Sequence, residues 1–317
     1  MKARSVLAVA SVVASASIAV AMPASAGLTT YCDGEAGAVN VPGDLRVAST
    51  RSCVLDGTTV TGTVTVEAGA NLVITGGTFN GAVSVLDDGF FDAKGTVLKG
   101  SLTATDGYGF FLSGTKSGSI RVVSSQHPER GTYAYLNAAT VDGDVTSGVG
   151  EVFAQDSTLN GSVTGTNVAY LDLVNSVVAD NLSVSGAVLG SVFCSSEVYG
   201  DATYSNNQGT LQIGGNGPIV GCDQASYWDG NLTVSGNHAD SQVSNNIVRG
   251  NLSGADNDPA PTGANNRVRG TTSGQFVNLA APAAARSAAA GAHERADVDS
   301  RRTEAKAEAK AAGPAAL

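Results

Sequence analysis

A five-residue phrase recurs along most of the chain and constrains its fold more than any other feature. The phrase is glycine, any residue, an aliphatic residue, threonine or serine, and valine. It is clearest as GTVTV at 62–66 and GNLTV at 230–234. Twelve copies, some looser, begin between residues 43 and 270, mostly 18–20 residues apart. A repeat of this period is typical of a solenoid, in which each coil buries its apolar face by stacking on its neighbours.

Aligned on the glycine, the copies show fixed apolar and hydroxyl positions. The third position is aliphatic in most copies, as at Val64, Val163 and Leu232, and the fourth is mostly threonine or serine, as at Thr164. An alternation with a period of two is typical of a strand with one buried face. The third position is therefore predicted to point into the core, and the fourth to point outward.

Most coils contain two further short apolar runs, one rich in aromatic residues and one leading into the next glycine. Three short strands and three corners account for a period of about 19 residues. The sequence therefore predicts an all-β fold, a parallel β-helix (β-solenoid) of about twelve coils spanning residues 43–278. A helical fold is disfavoured because the apolar positions are rich in β-branched residues and glycines recur throughout.

The two ends of the chain differ from the repeat. Residues 1–26 have a basic start, an apolar segment and a small-residue cleavage site, which predict a signal peptide; an uncleaved membrane anchor is the alternative. Residues 27–42 are predicted to form an N-terminal cap. Residues 279–317 form an alanine-rich charged tail that is expected to be disordered or partly helical. Because this tail has no sustained apolar stripe, it is not expected to pack on the solenoid.

Four cysteines in an exported chain favour two disulfides. Cys32 and Cys53 are about one coil apart near the N-terminal end, whereas Cys194 and Cys222 lie in consecutive coils. Of the three pairings that four cysteines allow, the coil arrangement favours 32–53 and 194–222. Free buried thiols are the alternative.

Charge and targeting narrow the expected partners and location. The formal net charge is −10 at pH 7, so neither nucleic acid nor anionic lipid is an expected partner. The predicted signal peptide favours a secreted protein, extracellular or at the surface of a bacterial cell, with no membrane span after the signal is removed. The sequence shows no motif for a catalytic site, a metal site or a cofactor, and none of these is predicted.

Two coils are longer than the rest, and insertions in solenoids form surface loops that often carry function. The first insertion, at 124–131, brings His127, Glu129 and Arg130 together in sequence. A histidine, an acid and an arginine at this spacing are either a small catalytic or binding group or simply a solvated loop.

The second insertion, at 214–228, contains Tyr227 and Trp228, the latter being the single tryptophan of the chain. Neighbouring aromatic side chains offer a large, rigid surface on which a sugar ring can stack. The alternative is that the pair forms a hydrophobic plug beneath the long loop.

The repeat resembles that of the right-handed parallel β-helix proteins, a group that contains pectate lyase-like enzymes, autotransporter passenger domains and other secreted solenoids. The resemblance covers about residues 43–275, and it rests on the glycine-anchored columns and the aromatic second strands. It implies the architecture. The hydrolases of this group use several close aspartates, including an adjacent pair, whereas Asp87-Asp88 is the only such pair in this sequence and lacks the surrounding motifs.

Three functions follow as expectations. The first is a non-enzymatic, secreted or cell-surface β-solenoid with a structural or adhesive role, for which a cell-surface or environmental polysaccharide is the expected partner. The second is a polysaccharide-active lyase or hydrolase of the β-helix group. The third is ice binding through the ladder of serine and threonine at the fourth position, which Arg46 and Arg121 interrupt.

Overall fold

The computed structural model describes residues 27–282, apart from 125, 128–130 and 223, together with residues 292–317. Over these described residues the chain forms a parallel β-solenoid whose three sheets contain 12, 11 and 12 strands. Within each sheet, strands of consecutive coils pair in parallel. The predicted fold class is confirmed, and the predicted signal peptide lies outside the described residues.

Each of the twelve coils described contributes a strand to sheets A and C, and all but the last contribute one to sheet B. We number the coils 1–12 by their strand in sheet A. Sheet A consists of Thr29–Cys32, Asp44–Val47, Val64–Val66, Val83–Val85, Leu102–Thr105, Ile120–Val123, Val145–Ser147, Val163–Thr166, Leu182–Ser185, Ala202–Ser205, Leu232–Ser235 and Leu252–Ser253. Sheet B consists of Gly34–Ala36, Ser52–Asp56, Asn71–Thr75, Phe90–Lys94, Gly109–Ser113, Tyr133–Asn137, Glu151–Gln155, Tyr170–Val174, Gly190–Cys194, Thr210–Ile213 and Ser241–Val243. Sheet C consists of Asn40–Val41, Thr59–Val60, Thr78–Phe79, Val97–Leu98, Lys116–Ser117, Thr140–Val141, Thr158–Leu159, Val177–Val178, Glu197–Val198, Ser226–Trp228, Asn246–Val248 and Arg267–Val268.

The repeat phrase forms sheet A in the predicted register. Val163 is fully buried and pairs with Val145 of the preceding coil. Thr164, the next residue, pairs with Thr146 on the outward face. The aliphatic third position therefore builds the core, and the hydroxyl fourth position forms a ladder on the surface.

The phrase begins with glycine because the corners of successive coils stack in direct contact. A Cβ added at Gly81 would lie 2.3 Å from the carbonyl oxygen of Gly62, and one added at Gly250 would lie 2.4 Å from that of Gly230. A side chain at these corners would push neighbouring coils apart.

Both predicted disulfides, Cys32–Cys53 and Cys194–Cys222, are present. The first joins the end of the sheet A strand of coil 1 to the sheet B strand of coil 2. Both of its cysteines are buried, so this disulfide ties the terminal coil to the rest of the solenoid from within the core.

Replacement of both Cys32 and Cys53 by alanine is expected to lower the free energy of unfolding by about 3 kcal/mol, because the closed loop restricts the unfolded chain. Denaturant titration followed by circular dichroism measures this change. The Cys194→Ala/Cys222→Ala variant is the matched control for loss of a disulfide elsewhere in the chain. An unchanged midpoint for the N-terminal pair would show that coil 1 does not depend on the covalent link.

Residues 27–42, which were expected to form a cap, instead form the first coil, with strands in all three sheets. The edge of sheet B at this coil is covered by the C-terminal end of the chain. The Glu35 amide donates to the Gly313 carbonyl oxygen at 2.9 Å, and the Ala315 amide donates to the Glu35 carbonyl oxygen at 2.8 Å. Ala315 and Leu317 pack against the core. The last residues of the chain therefore close the N-terminal end of the solenoid.

The prediction that the tail does not pack on the solenoid is wrong. Residues Ala292–Ala312 form a helix, α1, which lies on the outward face of sheet B over coils 1–5. Ala305 and Ala309 are fully buried in this contact. The sheet below supplies the large side chains, including Phe90 and Tyr133, which point out of the solenoid.

Arginine side chains hold α1 in place. Arg302 forms an ion pair with Asp92, which is only 3% exposed. Burial raises the pKa of Asp92, and the Arg302 guanidinium opposes that rise. The Arg301 guanidinium stacks over the Tyr108 ring at 4.9 Å and donates to the Asn71 side chain at 2.8 Å. These paired and stacked guanidinium groups supply the contact that an apolar helix stripe would otherwise make.

Candidate functional site

Trp228 does not lie on the surface. It is fully buried in the third strand of coil 10, where its ring centroid is 4.0 Å from that of Phe193 and its Nε1 donates to the Asn246 side chain at 2.9 Å. The indole therefore fills the core and offers no face on which a sugar could stack. Because this residue belongs to the strand Ser226–Trp228, the long loop ends earlier than the sequence suggested.

The long loop of coil 10 folds back onto sheet B. The buried Gln212 side chain donates to the Gly215 and Val220 carbonyl oxygens at 2.8 and 2.7 Å. Its oxygen accepts from the Ile219 and Val220 amides. With the disulfide at Cys222, this network fixes the loop as a cover over the outward face of sheet B.

The other insertion is described only in part, since Glu129 and Arg130 lie outside the described residues. The amide of His127 donates to a carboxylate oxygen of Asp106 at 3.2 Å, and the Ser124 hydroxyl donates to the same carboxylate at 2.7 Å. Asp106 thus fixes the start of this loop. The proposed grouping of His127 with Glu129 and Arg130 stays a prediction.

Tyr227 lies on the outward face of sheet C, next to tyrosine, acidic and arginine side chains that no sequence motif indicated. Val198, Trp228 and Val248 point inward there, so the residues before and after each of them point outward. We name this surface, on coils 9–12, the tyrosine platform. Its two parallel columns are Glu197, Tyr227, Ile247 and Arg267 in the first, and Tyr199, Asp229, Arg249 and Arg269 in the second.

The centre of the platform is a pair of tyrosine rings. The centroids of Tyr199 and Tyr227 are 5.9 Å apart, and Tyr199 is 50% exposed. The Tyr199 hydroxyl donates to the Glu197 carboxylate at 2.9 Å, and this hydrogen bond raises the pKa of Tyr199. The two rings therefore form an amphipathic surface that is already held in position.

Asp229 connects the second tyrosine to an arginine. Its carboxylate accepts from the Tyr227 hydroxyl at 2.7 Å and forms an ion pair with Arg249 at 2.6 Å. The Tyr227 hydrogen bond first, and the Arg249 guanidinium second, lower the pKa of Asp229. This carboxylate is therefore ionised near neutral pH and orients both partners.

Arg267 and Arg269 complete the platform at coil 12. Both side chains are exposed, and neither forms an ion pair with any residue in the described part of the chain. Guanidinium groups present a planar set of donors that can bind an oxyanion through two hydrogen bonds. An alignment of the third strands of successive coils in the sequence would have placed these arginines in the same columns as Tyr227 and Asp229. The alignment of the first strands identified the core positions in the same way.

A second group of polar side chains lies on the outward face of sheet B at coils 6–8. The hydroxyls of Tyr135 and Tyr170 both donate to the same oxygen of Glu151, the latter at 2.7 Å. Burial, followed by the hydrogen bond with Tyr135, raises the pKa of Tyr170. The parallel register places Asp172 one coil and two residues away from Glu151. Nothing in the repeat phrase pointed to this group.

Within the described ranges, no three His, Cys, Asp or Glu side chains converge as a metal site requires. Likewise, no described helix has the length and apolar character needed to cross a membrane. No protein-family model, curated protein or solved structure matches the chain. The resemblance to the pectate lyase-like group therefore extends only to the parallel β-solenoid architecture.

Proposed function

We propose that this protein is a secreted, non-enzymatic solenoid with an adhesive role, which binds a polysaccharide through the tyrosine platform. The neighbouring rings of exposed Tyr199 and half-buried Tyr227 are the observation that carries the proposal. Aromatic rings bury the apolar faces of sugar rings, while their hydroxyls and the flanking charged groups bond to sugar hydroxyls. The two disulfides support an extracellular location, since they persist in oxidising compartments.

The rigidity of the solenoid supports this proposal. The first column of the platform lies within the strands of sheet C, and each residue of the second column directly follows a strand and donates its amide to the preceding coil. Tyr227 is further fixed by its hydrogen bond to Asp229. A surface that is ordered before binding loses little conformational entropy when the ligand arrives. A surface that extends over four coils suits an extended chain rather than a small molecule.

Tyr199→Ala is expected to weaken polysaccharide binding at least about tenfold, equivalent to ~1.4 kcal/mol, because aromatic residues dominate the energy of such sites. Sedimentation with insoluble polysaccharides, and calorimetric titration with soluble ones, measure the effect. Trp228 fluorescence is unsuitable as a reporter, since the indole is buried away from the platform.

Tyr31→Ala is the matched control, because Tyr31 is an exposed tyrosine at the opposite end of the solenoid. The control variant should bind as the unmodified protein does. Equal loss in both variants, or unchanged binding by Tyr199→Ala, would contradict a site at the platform. Failure of the unmodified protein to bind any polysaccharide would contradict the proposed function.

A second candidate function, hydrolysis of a polysaccharide, is favoured by the carboxylates on sheet B. Asp172 lies one strand across and two residues along from Glu151, which places their Cα atoms roughly 8 Å apart. Glycosidases use two carboxyl groups at separations of about 5–9.5 Å. Release of reducing ends from a polysaccharide panel, abolished in Glu151→Gln, would support this function over the adhesive one.

A third candidate, ice binding, is favoured by the hydroxyl ladder of sheet A. The parallel register aligns one hydroxyl per coil at Thr146, Thr164, Ser183, Thr203, Thr233 and Ser253, beyond the interruption at Arg121. Thermal hysteresis of the purified protein tests this directly. A freezing point equal to that of a control protein at the same concentration would exclude it.

A further inference from the structure

We infer that the ligand of the tyrosine platform is an anionic polysaccharide, a sugar chain bearing carboxylate, sulfate or phosphate groups, whose oxyanions bind Arg267 and Arg269. This inference rests on the proposed function, because it names the chemistry of the ligand at the same site. It goes further by assigning the binding of charge to the two arginines and the stacking of sugar rings to the two tyrosines.

The register of sheet C places the arginines at a useful distance from the rings. Arg267 occupies the same outward column as Tyr227, with Ile247 between them. Two coil spacings separate Tyr227 from Arg267, or roughly 10 Å along the solenoid axis. A sugar ring stacked on Tyr227 would therefore leave the charged group of a sugar further along the chain beside the arginines.

Arg267 and Arg269 differ from the other charged groups of the platform because those groups already have a partner. The Asp229 carboxylate already pairs with Arg249, and the Glu197 carboxylate accepts from Tyr199. Arg267 and Arg269 form no ion pair with the described residues. In a chain of net charge −10, these two exposed arginines, two residues apart on one face, form a local concentration of positive charge. Local charge complementarity therefore favours an anionic ligand over a neutral sugar or a cation.

The choice of arginine also fits an oxyanion. Its planar guanidinium forms paired hydrogen bonds to carboxylate, sulfate or phosphate oxygens, which a lysine ammonium cannot match in geometry. Because both side chains are exposed, the attraction is expected to weaken as salt rises. The tyrosine contacts, being largely apolar, should depend less on salt.

The experiment compares one glucan backbone in four forms: unsubstituted, carboxymethylated, sulfated and phosphorylated. Calorimetric titration of the full chain is expected to show at least about tenfold tighter binding to one or more of the charged forms. The substituent that binds most tightly identifies the source of the oxyanion. Single-stranded DNA serves as an anionic polymer without a polysaccharide backbone.

The Arg267→Ala/Arg269→Ala variant is expected to lose about tenfold in affinity for the charged glucan and to show a weaker dependence on salt. Arg121→Ala, which removes an exposed arginine from sheet A, is the control and should leave the affinity unchanged. Arg267→Lys/Arg269→Lys keeps the charge but not the planar donors, and it should bind between the two.

The outcomes separate this inference from the proposed function. Equal binding of charged and uncharged glucan, lost in Tyr199→Ala, would overturn the inference and leave the adhesive function standing. An unchanged affinity in the double arginine variant would also overturn it. Equally tight binding of DNA, with the same arginine dependence, would overturn the assignment of the ligand as a polysaccharide. Absence of binding to every polysaccharide, charged or not, is the failure of the proposed function itself.

Discussion

Val163→Asp is expected to unfold the solenoid or to destabilise it by several kcal/mol, whereas Thr164→Asp is expected to be tolerated. Val163 is fully buried in the inward column of sheet A, so an aspartate there would place a carboxyl group in the core without a partner. The cost of burying an unpaired ion is several kcal/mol, and neutralising it by protonation is also costly near pH 7. Thr164 is its neighbour on the outward face, where water can solvate the same carboxylate.

Thermal melts and denaturant titrations of the two variants measure the difference. The pair is well matched, because the two positions are adjacent and receive the same side chain. Similar destabilisation by both would show that the alternation of buried and exposed residues is not what determines stability in this coil. A cooperative melt of Val163→Asp at the temperature of the unmodified protein would contradict the packing of the core.

The solenoid could be predicted from the sequence because the pattern of buried and exposed residues is contained in one short strand and is repeated in each coil. One strand in each coil, with an aliphatic residue and a hydroxyl residue side by side, is enough to define which face is buried. Twelve copies of the same pattern then specify the register, since a shift by one residue would turn every aliphatic side chain outward. The disulfides could be predicted for the same reason, because Cys32 and Cys53 are about one coil apart.

The platform could not be predicted from the first strand alone. Tyr227 was singled out for its neighbour Trp228, yet the structure separates the two, one on the surface and one in the core. The partners that matter, Tyr199 and Arg249, lie one coil away in each direction. They share no local sequence pattern with Tyr227, so only the alignment of the third strands brings them together.

The packing of the tail could not be predicted because the apolar surface belongs to the sheet and not to the helix. The absence of a sustained apolar stripe in residues 279–317 argued for a free tail, but α1 packs with small and arginine side chains. The feature of the sequence that indicates a covered surface is the set of outward aromatic residues of sheet B, such as Phe90 and Phe111. A solenoid strand exposed to water would be expected to carry polar side chains at those positions.

Deletion of residues 283–317 is therefore expected to lower the melting temperature by at least about 5 °C, since a chain of 317 residues loses somewhat less than ~2 °C for each kcal/mol and the deletion removes several kcal/mol of contacts. The deletion exposes Phe90 and Tyr133, leaves Asp92 without Arg302, and uncovers the edge of sheet B at Glu35. Each of these changes removes a contact that the unfolded chain does not have.

The point variant Arg302→Ala tests the same contact without shortening the chain. It leaves Asp92 buried without its cation, and breaking a fully buried ion pair in this way costs roughly 3–5 kcal/mol. The expected loss is below that range, because Arg302 is 24% exposed and burial already raises the pKa of Asp92. Glu304→Ala, at an exposed position of the same helix, is the control and should melt at the same temperature as the unmodified protein.

The deletion of residues 283–317 has an outcome that would contradict this role of α1. If the truncated chain melts within a degree or two of the full one, α1 contributes nothing to stability, as the composition of the tail alone suggests.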